Sequence, residues 1–158
     1  MKAIFTSLLV LSLSFIKGQS EIYQSLFSFL SSETIESPND RLIAVNVWSL
    51  DNKESRALNQ EFEKVFTAYT GAWLKGGNKG LVAVIYCIDK NNVQINIALK
   101  KDGIIKVIST NSENKKLTTV LKDKSPGYNC VFNKDGKIVY ENLKEGTVFD
   151  SIHNLISR

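Results

Sequence analysis

Two stretches of this 158-residue chain, Leu42–Trp48 and Leu81–Ile88, are apolar at nearly every position. Runs of that kind predict strands buried on both faces, as in the middle of a parallel sheet. Between them Leu58, Phe62, Val65 and Tyr69 recur at helical spacing and predict an amphipathic helix. Strand, helix and strand together make a βαβ unit with a right-handed crossover. Asp51 is placed to cap the helix, with Glu54 three positions later completing a capping box. Gly71 and the run from Gly76 to Gly80 predict a long loop around Trp73 and Leu74.

Weaker patterns flank this unit. In a lead-in covering residues 19–40, Ile22, Leu26, Phe29 and Leu30 predict a short helix packed on the sheet, which Pro38 ends. A loosely attached terminal arm is the competing reading. Val93, Ile95, Ile97 and Leu99 alternate with polar or small residues, which by itself predicts a strand turning at Lys101-Asp102-Gly103 into Ile104–Ile108. Leu117, Val120 and Leu121 predict one or two helical turns. Tyr128–Asn133 and Lys137–Tyr140 predict a hairpin, with Gly136 at the position that needs positive φ. Thr147 is expected to cap a last helix whose inner face carries Val148, Ile152, Leu155 and Ile156.

Residues 1–18 change the picture of composition. Lys2 followed by the apolar stretch Ala3–Ile16 has the form of a signal peptide, with Gly18 as the small residue at a cleavage site. Lys17 stops the run short of a membrane span. Export to the periplasm or outside the cell is therefore expected, with no membrane span in the remaining 140 residues, enough for one domain. Loss of Lys2 and Lys17 lowers the formal charge from +4 to +2. Lysines are scattered beside acids, with no basic stripe interleaved with aromatics, so a nucleic-acid partner is not expected. One histidine and two cysteines leave too little for a soft-metal site, and no metal or other cofactor is expected.

The segment from Leu42 to Tyr69 resembles the active-site unit of thioredoxin-like proteins, most closely exported thiol–disulfide oxidoreductases of the TlpA/ResA type. Their motif runs Trp-Ala-x-Trp-Cys-x-x-Cys-Arg. Trp48 and Ser49 match its first pair and Arg56 its last residue, while Asn52 and Ser55 stand in the cysteine slots. Residues 133–143 are similar to a second signature near the end of such domains. The resemblance spans roughly residues 40–156 and implies an α/β, thioredoxin-like fold over residues 41–158, a central mixed sheet of four to five strands flanked by helices. It also implies a helix, with Asn92 as N-cap, where periodicity alone gives a strand at 92–101, and we adopt the helix. Relatives place a cis-proline before a late strand. Here Gly127 falls in that slot with Pro126 one residue early, so either the loop has gained a residue or the proline is displaced.

Disulfide exchange needs a thiolate at the helix N-terminus and a second sulfur one turn later. Asn52 and Ser55 supply neither, and capping is their simplest role. A sharper reading is that the unused helix N-terminus binds an anionic or carboxylate group. If the first strand lies between those carrying Cys87 and Cys130, the two thiols are about 9–10 Å apart and unpaired. No catalytic residue is then evident except Cys130, the one candidate for a lone reactive thiol. Trp48 is expected as a core aromatic beneath the turn, and His153 as a partly solvated histidine without a partner. Three functions compete. One is a redox-inactive accessory module that binds a peptide or envelope protein through the turn, Pro126, Gly127, Tyr128 and Trp73. The second is a monothiol reductase or peroxide-responsive protein using Cys130, and the third a purely structural domain.

Overall fold

In the computed structural model, which describes residues 21–32 and 37–156, a five-stranded mixed sheet separates two layers of helices. Residues 1–20, the expected signal peptide among them, lie outside the described residues. The elements run α1 (21–32), β1 (Leu42–Trp48), α2 (Lys53–Tyr69), β2 (Trp73–Leu74), β3 (Asn78–Lys79), β4 (Leu81–Cys87), α3 (Asn92–Lys101), β5 (Ile108–Asn111), α4 (Lys115–Leu121), β6 (Asn129–Phe132), β7 (Ile138–Glu141) and α5 (Val148–His153).

Strand order is β5-β4-β1-β6-β7. β1 and β4 pair in parallel from Leu42↔Leu81 to Trp48↔Cys87, and every residue of both is buried. Burial on both sides is what their unbroken apolar runs require. β5 joins β4 in parallel, whereas β6 and β7 are antiparallel additions on the other edge. Alternation along β1 divides the core. Leu42, Ala44 and Trp48 pack under Leu58, Phe62 and Val65 of α2, Ile95 and Ala98 of α3, and Val148 and Ile152 of α5. Ile43, Val45 and Val47 pack under Ile22, Leu26, Phe29 and Leu30 of α1 and Leu117 and Leu121 of α4. Each large side chain so buried contributes about 1.5–3 kcal/mol.

Helix α2 also holds two loops through carboxylates on its flank. Glu63 accepts hydrogen bonds from the backbone N–H groups of Lys106 (2.9 and 3.0 Å) and Val107 (2.9 Å). Glu61 accepts from Gly146 and from Val148 at the start of α5. Thr147 is the N-cap of α5 as expected, but its hydroxyl makes no bond to the helix; it is turned back on Lys144, donating to the carbonyl at 2.7 Å.

Residues 92–101 are a helix, against their alternating pattern. Its cap is Asn91 rather than Asn92, with Oδ1 accepting from Gln94 N–H at 3.2 Å. Its end is a Schellman motif, in which Ile104 N–H reaches the Leu99 carbonyl and Gly103 N–H that of Lys100, with Gly103 at φ +71°. Ile95 and Ala98 go inside, and Val93 and Ile97 are left exposed. The expected loop around Trp73 is a two-stranded ribbon, in which Trp73 pairs with Lys79 and Leu74 with Asn78.

Candidate functional site

At the C-terminal end of β1 the chain turns into α2, and the turn closes on itself. Asn52, extended at φ −96°, is the N-cap, and its Oδ1 accepts from Ser55 N–H at 2.7 Å. Ser55 Oγ donates back to the Asn52 carbonyl at 2.9 Å. The expected box of Asp51 and Glu54 is thus displaced by one residue. The helix begins at Lys53, so the N-cap and N3 positions belong to Asn52 and Ser55. Other donors of the turn are also engaged. Leu50 N–H gives to Asp89 Oδ2 at 2.8 Å, and Asn52 N–H to the Ser49 carbonyl at 3.3 Å. Glu54 in the first turn adds a carboxylate beside this N-terminus, which weakens its attraction for a second anion.

Beneath the turn lies a buried carboxamide pair that the sequence reading passed over. Asn46 Nδ2 donates to the Ser55 carbonyl at 3.0 Å and to Asn59 Oδ1 at 2.7 Å, stitching the strand to the first turns of the helix. A polar residue inside an apolar strand was the available signal. Asn46 Oδ1, Asn59 Nδ2 and Trp48 Nε1 have no partner among the described residues. Trp48 itself is fully buried under the turn. Arg56 is committed elsewhere: its guanidinium makes a two-pronged pair with Asp102 at 2.8 and 2.7 Å, fastening α2 to the end of α3.

Facing the turn across a cleft is the segment Ser125–Tyr128. It is bound to β1 by Gly127 N–H to the Val47 carbonyl and Val47 N–H to the Tyr128 carbonyl, both 2.8 Å. No described peptide bond is cis, so Pro126 is trans, and Gly127 takes φ +94°. The cleft has a volume of about 410 Å³, bounded by Glu54 on one side and Pro126, Gly127 and Tyr128 on the other. Asp123, Lys124, Asn142, Leu143 and Lys144 also line it, with Ser125 beside Pro126. Lys124 Nζ lies 4.3 Å from the Tyr128 ring centre, and the Tyr128 hydroxyl donates to Glu141 at 3.1 Å. Burial, then the nearby Cys130 and Glu141, holds the phenol in its neutral form.

Neither thiol reaches this cleft as a nucleophile. Cys87 and Cys130 are free, both buried, and on opposite sides of the sheet: Cys87 packs with Trp48 and α2, Cys130 with α1 and α4. Burial pushes each up to about 12. For Cys130 the hydrogen bond with Tyr128 offsets only part of this. For Cys87 the neighbour is Asp89, whose Oδ2 is 3.6 Å from the sulfur.

No family model matches the chain, and no curated protein does. Solved structures do. A thiol:disulfide interchange protein from a Bacteroides species superposes with a TM-score of 0.59 at 15% identity, over 73% of each chain. The C-terminal domain of a Bacteroides thetaiotaomicron protein named as a thiol–disulfide oxidoreductase gives 0.58 at 19%, over 80% of this chain and 82% of that one. A secreted disulfide oxidoreductase from Mycobacterium tuberculosis gives 0.57 at 10%, over 74% and 84%. This chain has a thioredoxin-like fold. The mixed sheet of five strands with helices on both faces is the architecture that the resemblance implied.

Within the thioredoxin-like fold the residues singled out by sequence fall into two groups. Trp48, Asn52, Ser55 and Arg56 form the turn, and Pro126, Gly127 and Tyr128 face it. Trp73 does not join them. It follows the C-terminus of the 17-residue α2, about 25 Å along the helix from the turn. His153 stands near that far end too and has a partner, the Tyr69 hydroxyl at 2.7 Å from Nδ1. Among the described residues no helix is long and apolar enough to cross a membrane.

Proposed function

We propose that this is an exported accessory protein that binds a peptide or protein through the cleft between the α2 turn and the Pro126–Tyr128 segment, without disulfide exchange. In this reading Asn52 and Ser55 occupy the positions of the redox cysteines. The single observation that carries it is the closed Asn52–Ser55 cap: the turn is built from reciprocal hydrogen bonds and contains no sulfur. Two-electron exchange requires a thiolate that attacks and a second thiol that resolves. The chain's two thiols are buried, protonated at neutral pH and separated by the sheet. Export is supported by the apolar stretch of residues 3–16 behind Lys2 and by a structural neighbour described as secreted.

The test is disulfide reduction by the purified chain, with insulin as substrate and dithiothreitol as the terminal reductant. Turnover equal to the reagent blank is expected. Activity should appear in the Asn52→Cys, Ser55→Cys double variant, because the slots are one turn apart at a helix N-terminus. Wild-type turnover that disappears in Cys130→Ser would instead establish the monothiol reading. For binding, a library of extended peptides is screened against the chain, and any ligand recovered should be lost when Gly127→Trp fills the cleft.

A further inference from the structure

The chain has two tryptophans, and the fold treats them oppositely: Trp48 is fully buried and Trp73 is 60% exposed. Trp73 sits on a ribbon that stands apart from the main sheet, at the end of the molecule away from the cleft. Its cross-strand partner Lys79 places Nζ 5.0 Å from the indole centre. Lys75 extends to the Asn154 carbonyl at 2.9 Å. Lys134 is brought in by its backbone N–H, which donates to Asn78 Oδ1 at 3.1 Å, and its ammonium group lies over Gly77. No Asp or Glu occurs between Glu63 and Asp89, so the ribbon contributes lysines and no carboxylate. Among the described residues, Asp40, whose carbonyl accepts from Lys79 N–H, and Asp135, next to Lys134, adjoin this cluster.

We infer that the Trp73 ribbon docks on an anionic lipid bilayer, with the indole at the headgroup boundary and Lys75, Lys79 and Lys134 at the level of the phosphates. An indole flanked by ammonium groups is the side-chain pairing that a bilayer interface favours, since the ring enters the acyl boundary while the charges remain with the headgroups. The ribbon's shape suits a surface better than a peptide. Its strands are two residues each, its turn carries Gly76 and Gly77 at φ +78° and +75°, and the indole is left largely exposed. Docked this way, the cleft at the opposite end of α2 stays open to solvent. The inference is independent of the reading proposed for that cleft.

The buried Trp48 makes the test clean. The full chain is titrated with vesicles of phosphatidylglycerol and phosphatidylcholine carrying brominated acyl chains, and with phosphatidylcholine vesicles alone. Residues 3–16 are themselves apolar, so the readout is Trp73 emission and not bulk sedimentation. Expected are a shift to shorter wavelength and quenching with the anionic vesicles, reversed by salt. Each of Lys75→Gln, Lys79→Gln and Lys134→Gln should lower the partition coefficient about fivefold. In Trp73→Ala, where only Trp48 emits, the vesicles should leave the spectrum unchanged. Equal quenching by neutral vesicles, or quenching indifferent to all three lysine variants, would assign the contact to residues 3–16 and overturn the inference. So would a soluble polyanion such as heparin shifting Trp73 emission when anionic vesicles do not.

Discussion

A thiol held at about 12 is a quantitative statement about what the chain cannot do at neutral pH. An unperturbed cysteine at 9.0 is about 1% thiolate at pH 7, whereas Cys130 at about 12 is about a thousandfold less so, before access is considered. Native protein mixed with Ellman's reagent at pH 7 should therefore react at least about a thousandfold more slowly than the same protein in denaturant. The rate should climb with pH without levelling off below pH 11. The same displacement has a thermodynamic face. The folded state holds this proton more tightly than the unfolded state, so its stabilising effect is complete below about pH 9 and is lost as pH rises toward about 12. The loss is on the order of 4 kcal/mol. Denaturant titrations at pH 8, 10 and 11 should show falling stability, and Cys130→Ala should reduce the slope above pH 9. Fast labelling of Cys130 at pH 7, or a break in the rate profile near pH 7, would refute the argument and return the chain to the redox enzymes.

Three further outcomes follow from the geometry. Asn52→Ala should lower stability by about 0.5–2 kcal/mol in urea titrations while Asp51→Ala changes it little, because only Asn52 caps α2. Gly80→Ala should be far more damaging, by more than about 2 kcal/mol. A Cβ there would stand 2.1 Å from the Thr70 carbonyl oxygen, at a φ of +83° that L residues avoid; wild-type melting behaviour would contradict the placement. Arg56→Ala and Asp102→Ala should each cost about 1–3 kcal/mol, and a double-mutant cycle should return a coupling above the usual surface value of about 0.2–1 kcal/mol. The pair is two-pronged and half-buried.

What could be read from residues alone was decided by where one signal dominated. β1 and β4 were legible because nothing but full burial accounts for a strand apolar at all seven positions of β4 and at all but Asn46 of β1. α2 was legible because four large residues share one face. Residues 92–101 were not, since the β-branched alternation of Val93, Ile95 and Ile97 outweighs helix propensity locally. The packing of Ile95 and Ala98 and the Gly103 stop reverse that choice only once the sheet is present. Two caps were legible at this turn, Asp51 with Glu54 and Asn52 with Ser55, equally good in isolation; the structure uses the second, as the capping reading of Asn52 and Ser55 expected. Trp73 was grouped with the cleft because chain distance says nothing about which end of a helix a loop returns to. The Asn46–Asn59 contact, which ties strand to helix, follows from tertiary packing that no local pattern encodes.

The sheet standing between Cys87 and Cys130 carries a consequence for the chain in an oxidising medium. A covalent link between these residues is open only to a chain that has not yet folded, and forming it would forbid β1 from taking its place between β4 and β6. Oxidation before folding therefore yields a dead end that must be reduced again. Once strand pairing is complete, the protein is immune to its own thiols.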